Sequence, residues 1–367
     1  MTNLLPNFFG QKKLLLTLFS FISVGIVIAT LWPFDFHPPN GASWIPNRNG
    51  IHFSQPAGIA VSASPLLIPS ASTKNSVTIE LWLRSDEIWS SRTALAIYNP
   101  SRGVPFLIRQ WDGGLSISRD SLDSPGSAIG DKIYAKRIFQ RGVPLLLTIT
   151  SSPSGTLVYV NAAQKQSFPS YQIRAGDLSG QIILGTAPDS FAPWRGDIYF
   201  VALYASALSP EEIRLHFDCL SRSSPASHGS DSLLAQYSFA ESSGSVVSSS
   251  LRAAPNLQIP KTFFLPYKPI LQSPLAHYEA TKNYFYGAFL NIVGFVPFGI
   301  LLCAYLANTR FARFAVLHSF LSGAAFSFII ELIQGYIPQR DSGFNDVITN
   351  SLGALLGAVL ARSMQRK

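Results

Sequence analysis

Four long apolar stretches constrain this chain most. They cover residues 14–31, 284–306, 314–333 and 347–361. Eighteen residues of helix, as in the first stretch, rise about 27 Å, which is close to the thickness of the hydrocarbon core. Only 13% of all residues are charged, against roughly 25% in soluble proteins. The sequence therefore predicts an integral membrane protein.

The first apolar stretch has two interpretations, a cleaved signal peptide or a retained anchor. Lys12 and Lys13 precede it, and no small-x-small cleavage site follows it. The chain continues as Trp-Pro-Phe-Asp-Phe at residues 32–36, and aromatic residues of this kind are typical of the membrane interface. We therefore predict a retained anchor.

Basic residues beside the apolar stretches predict the orientation in the membrane. They are Lys12, Lys13, Arg310, Arg313, Arg362, Arg366 and Lys367. Four spans place all of them on one side, which the positive-inside rule makes cytoplasmic. We expect cytoplasmic termini in a bacterial cytoplasmic (inner) membrane, with residues 35–283 extracytoplasmic. No basic helix or zinc-ligand spacing accompanies the net charge of +8, so we predict no nucleic-acid partner.

Residues 40–219 have the pattern of a β-sandwich. Short β-rich segments such as 77–83 and 145–150 are separated by turn residues such as Asp-Gly-Gly at 112–114. Many short strands at this spacing indicate an antiparallel sandwich. Ser-Pro-Glu-Glu at 209–212 predicts a capped helix start near the end of the region.

This region resembles the laminin-G-like, concanavalin-A-like jelly roll. Ile-Glu-Leu-Trp-Leu-Arg at 79–84 and the segment 194–213 carry the resemblance. The resemblance implies the fold, but it implies no ligand, because such folds host many ligands or none.

The sequence predicts four regions. These are an anchor at 1–36, a sandwich at 40–219, a Ser/Pro-rich linker with one added strand at 220–283, and a three-helix membrane region at 284–367. The added strand is expected at residues 234–239 and joins the existing sandwich. The predicted fold class is an α + β membrane protein, in which four transmembrane helices carry an extracytoplasmic antiparallel β-sandwich (jelly roll) inserted after the first helix.

A dense polar segment, residues 331–350, separates the third and fourth apolar stretches. Ionisable groups at membrane depth are costly and usually mark a site. The spacings within the segment put its polar residues on shared helix faces, and an asparagine of the second helix lies at similar depth. We predict a binding site formed by Asn291, Glu331, Gln334, Arg340, Asp346 and Asn350.

Two interpretations of these six residues stay open. In the structural one, Glu331 pairs with Arg340, Asp346 caps the fourth helix, and the asparagines join helices. In the functional one, the six side chains converge at the outer leaflet to hold a polar headgroup or an envelope precursor. Gly353 and Gly357 form a GxxxG pattern that predicts close helix approach.

The same residues resemble the VanZ-like membrane family. Three motifs appear in the family's order: Asn-x-x-x-Phe-x-Pro-x-Gly at 291–299, Glu-x-x-Gln with Pro-x-Arg at 331–340, and Asp-x-x-x-Asn at 346–350. Gly287 and Gly343 occupy positions that are acidic in many members, which removes a metal or acid role there. The family is named after a protein linked to teicoplanin resistance. The resemblance therefore implies an envelope role, with membrane lipids or a lipid-linked wall precursor as partners.

Other chemistry is sparse. The histidines show no metal-ligand spacing, and no P-loop or nucleophile elbow occurs, so we predict no cofactor, no metal ligand and no catalytic residue. Calcium in the sandwich stays open, because acidic residues lie near predicted turns: Asp112, Asp177, Asp189 and Asp197. Four tryptophans can stack on glycans, although core packing competes for most of them: Trp82, Trp89, Trp111 and Trp194.

Three functions remain open at this point. The first is a non-enzymatic envelope factor of VanZ type, whose sandwich contacts envelope glycan or protein. The second is an enzyme acting on a lipid-linked substrate, with Glu331 as acid or base and Arg340 holding a phosphate. The third is an adhesion or scaffold module that uses the helices only as an anchor.

Overall fold

The computed structural model has two compact units. The membrane unit consists of Met1–Phe36 and Lys268–Lys367, and the sandwich unit of His37–Tyr267. The structure describes residues 11–68, 75–119, 131–222, 232–273 and 282–365. Arg366 and Lys367, two of the predicted basic flanks, lie outside the described residues.

Within the described residues there are five α-helices. They are α1 (Lys12–Leu31), α2 (Pro210–Ser221), α3 (Lys282–Ala307), α4 (Ala315–Gln334) and α5 (Phe344–Gln365). All except α2 belong to the membrane unit and are long and apolar enough to cross a membrane.

Helix α5 begins three residues before the predicted span. Its first residue is Phe344, so Asp346 lies inside the first turn and not at the N-cap. The N-cap interpretation of Asp346 is therefore wrong. The predicted start at residue 347 followed the apolar run, whereas the helix also includes the polar residues that begin it. A carboxylate in this turn still faces the positive end of the helix dipole.

Glycines allow α3 and α5 to touch along their backbones. A Cβ atom built on Gly353 would lie 2.2 Å from the carbonyl oxygen of Ile292, and one on Gly357 would lie 2.0 Å from that of Val296. No side chain fits at these distances. The close approach predicted from the GxxxG pattern is confirmed.

Packing contacts define the two ends of the helix bundle. At one end, Leu15 of α1 packs with Ala304 of α3. At the other, Leu31 packs with Ile330 of α4. Helices α4 and α5 join the first end through a cluster that contains Cys303, Ala315 and Ala361. The basic flanks therefore gather where α1 starts, and the polar segment lies where α1 ends. We call this second end the polar end.

The sandwich unit is built from sixteen strands in the described part of the chain. They are β1 (Ala42–Trp44), β2 (Ile51–Phe53), β3 (Ala60–Ser62), β4 (Val77–Ser85), β5 (Arg92–Asn99), β6 (Gly103–Trp111), β7 (Gly114–Arg119), β8 (Asp131–Ala135), β9 (Pro144–Ser152), β10 (Gly155–Val160), β11 (Ala163–Phe168), β12 (Gln181–Leu184), β13 (Gly196–Tyr204), β14 (Leu233–Tyr237), β15 (Val246–Val247) and β16 (Leu257–Gln258).

These strands form two antiparallel sheets. One has the order β1-β2-β13-β4-β9-β10-β11, with β14 also paired to β13. The other has the order β15-β16-β3-β12-β5-β6-β7-β8. Fully buried side chains such as Phe53, Phe106 and Trp194 fill the interior between them. The predicted antiparallel sandwich is confirmed.

Helix α2 packs on the sandwich and begins as predicted. The Ser209 hydroxyl accepts the Glu212 amide at 3.2 Å, and the Glu212 carboxylate accepts the Ser209 amide at 2.7 Å. His216 on α2 contacts the fully buried Glu80 through a 3.0 Å hydrogen bond. This bond attaches the helix to β4.

The serine-rich region that the sequence assigns mainly to a linker contributes three strands. Strand β14 pairs with β13, and β16 pairs with β3. Tyr237, Phe239, Val247 and Leu257 are fully buried. These apolar side chains complete the core of the sandwich, which is why the segment is ordered despite its polar composition.

Candidate functional site

Asn291 and Asp346 join α3 to α5 at the polar end. The Asn291 side-chain amide donates to the Asp346 carboxylate at 2.9 Å and also contacts the Thr349 hydroxyl at 3.3 Å. Asp346 is in the first turn of α5. This carboxylate therefore combines a helix-dipole contact with a hydrogen bond between helices.

Asn350 lies one turn deeper on α5 and makes a separate contact. Its amide donates to the Ser327 hydroxyl of α4 at 2.9 Å, and both side chains are buried. Interhelical hydrogen bonds of this kind stabilise membrane helix pairs.

Gln334 and Arg340 both bind the end of α1. The Gln334 amide donates to the Thr30 carbonyl at 2.8 Å. The Arg340 Nε donates to the same carbonyl at 2.9 Å, and its Nη2 donates to Ala29 at 2.8 Å. The last carbonyls of a helix have no partner within it and carry partial negative charge. Arg340 therefore serves as a side-chain cap for α1.

Glu331 holds the loop that precedes α5. It is only 2% exposed. Its carboxylate accepts the Gly343 amide at 2.9 Å, and its backbone carbonyl accepts the Ser342 hydroxyl at 2.7 Å. The Glu331–Arg340 ion pair of the structural interpretation is absent among the described residues. That part of the interpretation is wrong, because the Arg340 guanidinium is occupied by α1 carbonyls.

The six predicted residues thus share the polar end but form four separate contacts. A small cavity of about 170 Å³ opens beside them. Its lining is polar and includes one of the six, Asp346. The lining residues are Gln272, Ser273, Tyr284, Asp341, Ser342, Gly343, Asn345 and Asp346. We call this space the headgroup cavity.

Residues 268–273, here called the strap, form one wall of the headgroup cavity. The Lys268 ammonium donates to the Gln334 carbonyl at 2.8 Å and to the Ile337 carbonyl. Gln272 pairs with the loop before α5, because its backbone N–H donates to the Ser342 backbone carbonyl at 3.0 Å. Burial lowers the pKa of Lys268 to about 8. Sequence reasoning missed the strap, and a lysine within a proline-rich approach to the membrane was its only signal.

In the sandwich unit, two of the aspartates considered for calcium bind other groups. Asp197 accepts hydrogen bonds from Arg84, His52 and Tyr199 at 2.7–2.8 Å. Although burial opposes ionisation, hydrogen bonds from Tyr199 and His52 and the charge of Arg84 lower the pKa of Asp197. Asp177 accepts the Arg174 amide at 2.9 Å. Within the described residues, no group of three or more His, Cys, Asp and Glu side chains is arranged to hold a metal ion.

The four tryptophans have different environments. Trp194 is fully buried, and Trp82 stacks on Phe217 with ring centroids 6.0 Å apart. In contrast, Trp89 is 79% exposed and Trp111 is 40% exposed. Only the second pair can meet a ligand without unpacking the core.

An apolar helix bundle with a polar end, joined to a two-sheet β-sandwich, defines a multi-pass membrane protein with a lectin-like domain. Comparison with protein families refines this class. Residues 233–365 match the VanZ/LLP1 family, and residues 60–214 match the concanavalin A-like lectin/glucanases superfamily through its laminin G model. The chain therefore combines a VanZ-like membrane domain with a concanavalin A-like domain, as the motifs predicted. No curated protein sequence matches the chain.

Solved structures resemble part of the chain at low identity. A putative carbohydrate binding protein from Bacteroides ovatus is 14% identical, with a TM-score of 0.41; the match covers 59% of this chain and 58% of that one. A SAP-like pentraxin from Limulus polyphemus is also 14% identical, with a TM-score of 0.39, over 59% of this chain and 97% of that one. The CBM40 of a Ruminococcus gnavus sialidase is 13% identical, with a TM-score of 0.34, over 46% and 95%.

Proposed function

We propose that this protein is an envelope factor of the bacterial cytoplasmic membrane, with cytoplasmic termini and with its polar end and sandwich unit outside. The gathering of Lys12, Arg310 and Arg362 beside the end of the bundle opposite Glu331 supports this orientation. The rule that basic flanks stay in the cytoplasm then places the headgroup cavity at the outer leaflet. Reporter fusions test the orientation and are described below.

The proposed activity is binding of the polar headgroup of a membrane lipid or a lipid-linked wall precursor. The observation that carries this proposal is the headgroup cavity, which is lined by Asp341 and Asp346 together with hydroxyl and amide groups. Carboxylate and hydroxyl oxygens accept hydrogen bonds from N–H and O–H groups. The cavity therefore suits an ammonium- or hydroxyl-bearing group better than a bare phosphate.

The hydrogen bonds of Arg340 and Glu331 weigh against the enzyme alternative. Arg340, the residue considered for holding a phosphate, donates to carbonyls of α1. Glu331, the residue considered as acid or base, is buried and holds the Gly343 amide. Both side chains are therefore engaged by groups of the protein itself, whereas the headgroup cavity opens beside them.

Lipids captured by the protein test this proposal. The full chain is extracted into native nanodiscs, and its lipids and precursors are identified by mass spectrometry. We expect one headgroup class to be enriched with the wild type and reduced several-fold with Asp341→Asn combined with Asn345→Ala. Asn308→Ala at the opposite end of the bundle is the matched control and should retain the enrichment. Equal lipid profiles for all three proteins would refute headgroup binding.

Two finer roles complete the proposal. We propose that the sandwich unit contacts envelope glycan or protein, which would bring the membrane unit close to the wall. We also propose a contribution to teicoplanin susceptibility, which rests on the match of residues 233–365 to the VanZ/LLP1 family. Deletion of the gene should change the inhibitory concentration of teicoplanin, and restoring the wild-type chain should reverse the change. An unchanged inhibitory concentration would remove this second role.

A further inference from the structure

A cleft of about 510 Å³ opens at one end of the sandwich unit. This volume lies within the range of small-molecule sites. The wall combines one aromatic ring with charged and polar side chains. The lining includes Asp86, Glu87, Ile88, Trp89, Arg141 and Arg195.

Trp89 is the unusual residue of this cleft. It is 79% exposed, although a tryptophan gains stability by burying its large ring. Backbone hydrogen bonds fix the chain on either side of this cleft. The Ile88 carbonyl accepts the Gly113 N–H at 2.7 Å, and the Asp86 N–H donates to the Arg195 backbone carbonyl at 2.9 Å. A flat aromatic surface is therefore held open to solvent beside a cleft.

The carboxylates that line the cleft are paired with arginines. Glu87 pairs with Arg92 at 2.9 Å and with Arg195 at 3.0 Å. Asp86 pairs with Arg84 at 3.0 Å.

Arg141 forms no ion pair with any of the described residues. Its Nε donates to the Asp86 carbonyl at 2.9 Å. This bond anchors one edge of the guanidinium, and its other nitrogens donate to no group within the described part of the chain. An arginine oriented in this way binds a carboxylate through two parallel hydrogen bonds.

We propose that this cleft binds an acidic saccharide, with a sugar ring stacked on Trp89 and a carboxylate of the sugar held by Arg141. Sugar rings offer a face of C–H groups that packs on an aromatic ring, and their hydroxyls match the polar groups of the lining. This inference deepens the proposed function of the sandwich unit and rests on it.

Binding of defined oligosaccharides to the full chain in phosphatidylcholine nanodiscs tests the inference. The probes are tetragalacturonate, a hyaluronan tetrasaccharide, sialyllactose and the disaccharide N-acetylglucosaminyl-N-acetylmuramic acid, each beside its methyl ester. At least one acid should bind. The methyl ester of that acid should bind at least about tenfold more weakly, because esterification removes the charge that Arg141 recognises.

Three variants locate the site. Trp89→Ala and Arg141→Ala should each weaken binding about tenfold or more, while Trp89→Phe should retain most of it. Trp111→Ala, which removes another exposed tryptophan outside the cleft lining, is the matched control and should bind like the wild type. Both cleft side chains are exposed, so the melting temperatures should be unchanged.

Several results would overturn the inference. The first is that none of the acids binds, and the second is that the acids and their esters bind equally. The third is that Trp89→Ala and Arg141→Ala both bind like the wild type. Lipid capture by the membrane unit is measured separately and does not depend on this cleft. A wild-type protein that captures lipid but binds none of the acids would refute the cleft alone. A wild-type protein that binds an acid but enriches no headgroup class would refute headgroup binding alone.

Discussion

Arg340 donates from Nε to the backbone carbonyl of Thr30 at 2.9 Å, so a side chain from the loop after α4 caps the last turn of α1. A second bond, from Nη2 to Ala29, makes the contact bidentate. The arginine of the family's Pro-x-Arg motif therefore has a definite structural role in this chain. It attaches the first helix, which precedes the whole sandwich unit in sequence, to the C-terminal helices.

Replacing Arg340 should loosen α1 from the bundle. Each hydrogen bond from a charged group contributes about 1.5–3 kcal/mol, so Arg340→Ala should lower the free energy of unfolding by several kcal/mol. Thermal unfolding in detergent measures the loss. Arg310→Ala, which removes an arginine at the opposite end, is the control and should have little effect. An Arg340→Ala protein of normal stability that has lost its lipid would assign Arg340 to the ligand instead.

The contact between α3 and α5 predicts a contrast between two glycines. Gly357→Ala places a methyl group 2.0 Å from the Val296 carbonyl oxygen and should destabilise the bundle by about 1–3 kcal/mol. Gly294→Ala on α3 meets nothing within 4 Å and should be neutral or slightly stabilising. The midpoints of thermal unfolding in the same detergent compare the two variants. Equal midpoints would contradict the close crossing.

The strap predicts a dependence of stability on pH. The pKa of Lys268 is lowered from 10.5 to about 8 in the folded chain, so between these values the unfolded chain binds more protons. Stability should therefore rise with pH in this window and be flat below it. Melting temperatures from pH 7 to pH 10 should show this rise in the wild type and lack it in Lys268→Met. Parallel curves for the two proteins would mean that Lys268 is solvated.

Glu331→Gln separates the enzyme from the non-enzymatic candidate functions. A glutamine can still accept the Gly343 amide, so we expect folding and lipid capture to be reduced slightly or not at all. An enzyme that uses Glu331 as acid or base would lose turnover completely. Cell-envelope phenotype and captured lipid, measured together on this variant, distinguish the cases. A stable Glu331→Gln protein that captures lipid but has a null phenotype would support the enzyme.

Reporter fusions test the orientation. A reporter active only outside the cytoplasm should give a signal when inserted within residues 223–231, and a cytoplasmic reporter should give one when fused after Lys367. Both fusions keep the four apolar helices. A cytoplasmic signal from the insertion at 223–231 would reverse the proposed placement of the sandwich unit.

Apolar length made the membrane helices predictable, since the spans were within a few residues of α1, α3 and α4. The glycines of α5 could also be interpreted, because a Gly-x-x-x-Gly pattern has one main use in apolar helices. The contact of Arg340 with α1 could not be predicted, since its partners are backbone carbonyls, and carbonyls have no signature in a sequence. For the same reason the contact between Lys268 and the end of α4 was missed.

Composition is a poor guide to structure in a segment where a few buried residues decide the fold. Residues 232–258 are rich in serine, yet Tyr237 and Leu257 are fully buried in the sandwich core. A linker assignment counts every residue equally, whereas folding free energy comes mainly from the few large apolar groups that leave water. The strand at residues 234–239 was predicted as an addition to the existing sandwich, and β14 pairs with β13, but β15 and β16 were too short to recognise.

Photo-crosslinking from inside the headgroup cavity tests the central claim most directly. A benzophenone amino acid replaces Tyr284, which lines the cavity, and in a control it replaces Tyr305 near the opposite end of α3. Both positions should capture bulk phospholipid in living cells. Only position 284 should also capture an enriched headgroup class that mass spectrometry identifies as a particular lipid or a lipid-linked wall precursor. Identical adducts from the two positions would contradict headgroup binding at the polar end.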